Sequence, residues 1–367
     1  MSDCLRGRQW GWAVRILQIV PALSLDGVGG YAERLGEAFS GRGVVVDLLA
    51  AHCAEERSEV LPARTAAALD ATLERWWAAG EGPATVLLHY AGYGYQERGC
   101  PVWLASGIAR WLARKGGRRV STFFHEVRAS GPPWRSSFWL SPLQGRLAAA
   151  LARASRGIAT SLPIYRDVLH RWVPRRHIEV LPVFSTVGEP TEVPPLASRL
   201  QRIAVFGGAG LRRRAFREHT ADLAAACQAV GAEEVLDIGP PIEEPPAEVA
   251  GRPVRRLGVL SAHDVEGQLL SSRAGFLAYP PAFLSKSTIF AAYCANGVVP
   301  VCAVSCRNGR AFPTAVEHYL SPQASHAVGE AELQSVADRA RGWYLEHSLE
   351  RQMESFVHLL FGDEELR

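Results

Sequence analysis

The chain of 367 residues is short of most signatures that assign a protein to a class. Its seven cysteines, Cys4, Cys53, Cys100, Cys227, Cys294, Cys302 and Cys306, are scattered and form no C-x-x-C pair. That spacing excludes a zinc ribbon and argues against a disulfide framework, so a reduced, cytoplasmic setting is expected. His125–Glu126 begins like H-E-x-x-H, but position 129 is alanine, and two histidines one helical turn apart are needed to hold a metal. No apolar run approaches the ~20 residues of a membrane span. No secretory apolar stretch precedes the first strand, which favours cytoplasmic residence and leaves a peripheral membrane contact open. A net charge of +3 is too near balance for binding nucleic acid by bulk electrostatics. No Asp or Glu occurs between 267 and 316, an absence that bears on chemistry below.

What is present is an ordinary globular composition, 48% apolar and 21% charged, in a chain long enough for two domains. A strand–glycine loop–helix unit starts twice. RILQIVPAL (15–23) leads through SLDGVGG into YAERLGEAF (31–39), and RIAVFGGAG (202–210) leads through LRRRAF into an Ala-rich helical stretch. Short Ile/Val/Leu runs bounded by glycine read as buried parallel strands. Further strands are expected at 44–51, 85–91, 118–126, 157–163 and 177–184, then at 233–239, 254–260, 274–280 and 298–304. Helices between them are expected at 65–79, 101–114, 143–155, 163–172, 214–230, 263–272 and 286–296, with 330–361 helical throughout. Residues 92–99 and the aromatic, Pro-rich 131–142 read as loops. The alternation predicts an α/β protein of two Rossmann-like domains facing a cleft. TVGEPTEVPPLASR (186–199) is the linker candidate. The expected boundaries are 1–187, 188–345 and a C-terminal helix, 346–367, that returns to the first domain.

Open parallel sheets bind ligands beyond the carboxyl ends of their strands, and that is where chemistry-bearing residues fall. Gly29 and Gly30 form either a tight turn or a backbone contact to a phosphate or sugar. D-G-V-G-G-Y-A is not a dinucleotide fingerprint, which makes a nicotinamide dehydrogenase a distant reading. Gly208 with Arg212 and Arg213, in a basic cluster that includes Arg214 and Arg217, reads as a diphosphate clamp or a solvated basic turn. His125 closes a core-type strand. Glu126 beside it can act as a base or hold a hydroxyl. His89–Tyr95 offers flat, hydroxyl-bearing rings that suit a sugar or aromatic acceptor, or that only pack. Ser285, Lys286, Ser287 and Thr288 open a helix, as an anion site or an ordinary cap.

These segments resemble glycosyltransferases of the GT-B fold, most closely glycosyltransferase family 4. GVGGYAERLGEAFSGRGVVVDLL is similar to that family's glycine loop and following strand entry. FFHE is similar to a strand end whose histidine contacts the donor sugar, a role the resemblance gives to His125. FGGAGLRRR occupies the place of the phosphate clamp, and FAAYCANGVVPV resembles L-E-A-M-A-x-G-x-P-V-V, with Gly297 and Pro300 near the equivalent positions. The family's paired glutamates are absent: Leu284 and Ala292 stand in their places. The resemblance implies a retaining, metal-independent transfer from a nucleoside-diphosphate sugar, a co-substrate with no further cofactor, to a small-molecule, glycan or lipid-linked acceptor. His125, Glu126 and Lys286 are the catalytic candidates. A degenerate GT-B protein that binds a glycan or partner, and a GT-B-fold sugar epimerase, are the alternatives.

Overall fold

The computed structural model describes residues 14–23, 27–53, 59–114, 116–129, 133–303, 318–321 and 327–365. They divide into two compact units, one ending at Pro182 and resuming at Leu349, the other running from Val183 to Ser348.

The first unit contains β1 (Arg15–Leu23), α1 (Val28–Ser40), β2 (Val45–Cys53), β3 (Glu59–Val60), α2 (Ala66–Ala78), β4 (Ala84–Tyr90), a single turn α3 (Gly92–Tyr95) and α4 (Val102–Leu112). It continues through β5 (Val120–Phe124), α5 (Ser136–Ala154), β6 (Ile158–Thr160), α6 (Pro163–His170) and β7 (Glu179–Val180). Its seven strands lie in the order β3-β2-β1-β4-β5-β6-β7, all in parallel. β4 and β5 are buried along their whole length, the near-continuous apolar character of a parallel sheet covered on both faces. Side chains alternate across a strand. Leu17, Ile19, Leu88, Tyr90 and Phe124 therefore share one core with Leu69 of α2 and with Leu104 and Ile108 of α4. Gln18, His89 and Phe123 point the other way, under α1.

The second unit contains β8 (Leu200–Phe206), α7 (Ala209–Arg213), a π-helical turn at Arg214–Glu218, α8 (Thr220–Ala229), β9 (Glu234–Ile238), β10 (Glu248–Val249) and β11 (Arg252–Gly258). α9 (Ala262–Leu270), β12 (Ser272–Leu277), a 3-10 turn at Pro281–Lys286, α10 (Thr288–Ala295), β13 (Val299–Cys302) and α11 (Glu330–Leu345) complete it. Its sheet order is β10-β11-β9-β8-β12-β13, with only β10 antiparallel to its neighbour.

α12 (Leu349–Glu365) closes the chain and belongs to the first unit. Phe356 meets Phe123 edge to face at 5.4 Å, Arg42 pairs with Glu350 at 2.8 Å, and Gln352 bonds Tyr31 and the Pro182 carbonyl. Gly157 has no room for a side chain because Leu359 lies against it.

Several expected elements differ. The helix expected through 330–361 is two helices broken at 346–348. The one expected at 214–230 is interrupted by the π-helical turn, where the His219 amide reaches back five residues to Arg214. Helix α5 begins at Ser136, with Pro142 inside it, so 136–142 of the expected 131–142 loop is helical. Trp134 and Trp139 stay exposed there. Residues 131–132, Cys4 and Cys306 lie outside the described residues.

Candidate functional site

In a doubly wound sheet the ligand crevice forms where strand order reverses from the first strand. In the second unit this point lies between β8 and β12. Direct pairing of these strands runs to Gly275 opposite Ala204. There the Tyr293 hydroxyl, reaching in from α10, bonds the carbonyls of Ala204 at 3.0 Å and Phe276 at 3.2 Å. It also accepts from the Phe206 amide at 3.3 Å. The ring occupies the space that a side chain on Gly275 would need. One phenol thus satisfies backbone groups that the splitting strands leave behind, which would otherwise be buried without partners.

Beyond the split, the backbone converges on Gly207. Its φ of +127° suits glycine alone, and a Cβ there would collide with Ile289 in the first turn of α10. Gly239, at the end of β9 with φ +144°, packs against the Gly207 carbonyl so closely that it too must be glycine. Gly208 is the N-cap of α7 and carries no side-chain cap. The Leu211 and Arg212 amides return to its carbonyl, while those of Ala209 and Gly210 precede any carbonyl the helix can offer them. Gly208 and the Ser287–Thr288 helix head are therefore brought to one switch point.

The arginines separate. Arg212, expected to clamp a phosphate, is 2% exposed. Its Nε donates to Asp237 at 2.6 Å and its Nη1 to the Pro240 carbonyl. The guanidinium is committed to holding the β8 and β9 ends together and is corrected from ligand contact to structural pairing. Arg213 is exposed and enters no ion pair among the described residues. Arg214 lies 3.6 Å from Glu218, and Arg217 bonds Glu244 and the Glu243 carbonyl.

At α10, Ser287 is the N-cap. Its hydroxyl accepts from the Phe290 amide at 3.2 Å, which occupies one of the open N–H groups expected to serve an anion. Ser287→Ala should lower stability by about 1 kcal/mol, read as a shift of the thermal midpoint by roughly 2–4 °C; an unmoved midpoint rejects the cap. The Ser285 carbonyl accepts from the Val183 amide at 2.8 Å. Lys286 stands in the preceding 3-10 turn, its Nζ 5.5 Å from the centre of the Phe283 ring, and Thr288 is the first residue of the helix. Helix α10 is buried from Ile289 to Ala295, rather than presenting a single apolar face.

In the first unit, order reverses between β1 and β4. Gly27 adopts φ +78° as the N-cap of α1, Gly29 is buried in its first turn, and Gly30 is half-buried. Residues 24–26 lie outside the described residues. His125, just past β5, is 8% exposed. Its backbone amide bonds the Tyr90 carbonyl at 2.9 Å, and the Glu126 amide reaches the same oxygen at 3.3 Å. The Tyr31 ring meets His125 edge-on at 5.3 Å, so the start of α1 and the end of β5 adjoin.

Of the two readings of 89–95, packing holds for His89, Tyr90 and Tyr95. His89 and Tyr90 are fully buried in β4. Tyr95 is also fully buried, its hydroxyl 3.0 Å from the carbonyls of both Ile19 and His89. Only Tyr93 presents its ring to solvent. Sequence reasoning missed Asp237 and the buried Gln18. Each is a polar residue inside an apolar strand, a pattern that demands a partner.

No helix among the described residues is long and apolar enough to cross a membrane. No family model matches the sequence, and no curated protein sequence matches it significantly. Solved structures do match. An alpha-glucosyltransferase in complex with UDP is 12% identical over 95% of each chain, with a TM-score of 0.54. A glycosyltransferase from Rickettsia africae is 11% identical over 97% of this chain and 99% of its own, with a TM-score of 0.56. The lipopolysaccharide outer core galactosyltransferase WaaB is 11% identical over 94% and 98%, at 0.53. The chain has the fold of these glycosyltransferases: two Rossmann-like α/β domains of parallel sheet, the GT-B class.

Proposed function

We propose that the chain is a glycosyltransferase of the family 4 type, moving a sugar from a nucleoside-diphosphate donor by a retaining, metal-independent reaction. The observation that carries this reading is the meeting of the Gly207–Gly208 loop with the head of α10 at the β8/β12 split. Two helix N-termini there offer backbone amides and positive dipole ends to one anion. Arg213, which is exposed, and Lys286, in the turn that leads into α10, add positive charge. As the sugar–phosphate bond breaks, negative charge accumulates on the leaving diphosphate. Amides and cations already in place stabilise that charge without reorganisation. The segment from 267 to 316 holds no carboxylate, so nothing in it repels the phosphates, and recognition by charge replaces the ribose-binding glutamate of the family. His125 holds a sugar hydroxyl, and Glu126 stands beside it. UDP is the first nucleotide to test, because the alpha-glucosyltransferase relative was captured with it. The acceptor is a small molecule, glycan or lipid-linked sugar.

Calorimetric titration of the full chain with UDP, GDP and NAD tests the reading. A nucleoside diphosphate should bind and NAD should not. Arg213→Ala and Lys286→Ala should each weaken binding about tenfold or more, the worth of one charge-assisted contact, with unchanged thermal midpoints. Absence of diphosphate binding, or equal affinity in both variants and wild type, rejects the site. Binding without transfer or release of the sugar identifies the degenerate binder instead.

A further inference from the structure

The most exposed large apolar side chains among the described residues are Trp134 and Trp139, at 84% and 72%. Phe138 and Leu143 are exposed beside them in sequence. All four fall in the first two turns of α5 and the turn before it. Helix α5 buries Gln144, Leu147, Ala148, Leu151 and Ala152 in the first unit. Its outer face runs through Trp139, Leu143, Arg146, Ala150 and Arg153, every one exposed, at the alternating spacing of four and three that keeps side chains on one side of a helix. An apolar tip thus continues into a row of guanidinium groups.

Charge and hydrogen bonding decide what can cover this tip. Residues 127–166 hold six arginines and no Asp or Glu. Helices α4 and α6, which pack beside α5, bring a single acid, Asp167, and it pairs with Arg166 at 2.9 Å. Arg135, Arg146 and Arg153 enter no ion pair among the described residues. The face therefore favours a partner rich in phosphate. Trp139 Nε1 donates to the Pro133 carbonyl at 2.8 Å, and the Phe138 ring meets the indole edge to face at 5.4 Å. With its one donor satisfied inside the chain, the indole can leave water without an unpaired N–H. A polynucleotide offers phosphates, but bases stack on ring faces and have no use for Leu143. Anionic lipid offers phosphates and hydrocarbon together.

We propose that the start of α5 docks the first unit on an anionic bilayer. Trp134, Phe138, Trp139 and Leu143 enter the boundary between headgroups and acyl chains, about 5–10 Å deep. Arg146 follows Leu143 by roughly one turn and Arg135 adjoins Trp134, so both reach lipid phosphates around the inserted tip, and Arg153 lies further along the same face. This inference stands apart from the transferase reading, since no donor nucleotide takes part in it.

Co-sedimentation of the full chain with vesicles tests it, using phosphatidylcholine alone and phosphatidylcholine mixed with phosphatidylglycerol. The wild type should bind the mixed vesicles, bind the neutral ones at least about tenfold more weakly, and lose affinity as salt screens the arginines. Bromine carried on the acyl chains should quench tryptophan fluorescence. Trp134→Ser with Trp139→Ser should remove most of that quenching and weaken binding about tenfold or more, with the thermal midpoint nearly unchanged. Arg146→Gln and Arg153→Gln should each weaken binding about fivefold, the effect of one basic side chain at an anionic surface. Absence of binding, equal binding to neutral and mixed vesicles, or binding that survives the double tryptophan variant overturns the proposal. Capture of a single-stranded polynucleotide in place of vesicles, through the same tryptophans, assigns the face to nucleic acid. A dimer that the double variant dissociates, with no vesicle binding, assigns it to a second copy of the chain. Either result overturns the bilayer.

Discussion

Arg212→Ala is expected to cost roughly 3–5 kcal/mol, the loss that follows when one partner of a buried ion pair is removed. Asp237 is 2% exposed and would be left buried with no cation beside it. The Pro240 carbonyl would lose its donor as well. Against a usual total of about 5–15 kcal/mol, that loss should leave the second unit partly unfolded at ordinary temperature. Urea titration followed by tryptophan fluorescence reads it as a large drop in midpoint. Replacing both members, Arg212→Leu with Asp237→Leu, should recover most of the loss, because apolar pairs of similar size are often neutral substitutes for buried charge. A wild-type midpoint in Arg212→Ala would mean that the pair is solvated. The contrast with Arg213→Ala, expected to change affinity and not stability, separates two neighbouring residues of identical chemistry.

Acid should destabilise the first unit through His89. Its folded pKa is about 3 against an ordinary 6.5, because burial disfavours the charged ring. The unfolded chain takes up a proton below pH 6.5 that the folded chain refuses. The contribution is therefore fully present above pH 6.5 and is lost progressively as pH falls toward 3, at up to about 1.4 kcal/mol per pH unit for one proton. Carboxylates add their own slopes, so the measurement is a difference: urea midpoints of wild type and His89→Asn across this window. The variant should be less stable near neutrality and lose less on acidification. Parallel curves would show that His89 titrates normally.

The strands were legible because burial on both sheet faces leaves its mark in composition. ATVLLHY and VSTFF are apolar runs between glycine-bearing segments, and the parallel order follows from their alternation with helices. The glycine loops were legible for the same reason that Gly207 is required, since backbone meets backbone there. Side-chain assignments were harder. Arg212, Arg213 and Arg214 look alike in sequence. Which of them turns inward is decided by the register of a single helical turn and by Asp237, a partner 25 residues away. The histidine of LLHY stands near the end of the expected strand 85–91, and the tyrosines and glycines that follow it leave acceptor contact and packing equally open. In the strand, period-two alternation turns it under α1, where Gln18 and His125, distant in sequence, make its burial tolerable. Ser287 was legible as a cap and as an anion ligand, and the hydrogen bond to Phe290 accounts for the first.

Helix α12 has a consequence for biosynthesis. The ribosome emits the first sheet complete by Val180, yet Phe123 and Gly157 receive their covering residues, Phe356 and Leu359, only after the whole second unit has been made. A sheet translated before the second unit is thus finished after it. Until α12 arrives, the part of the nascent sheet's greasy face that Phe356 and Leu359 cover stays open, the kind of surface that chaperones of incomplete chains hold.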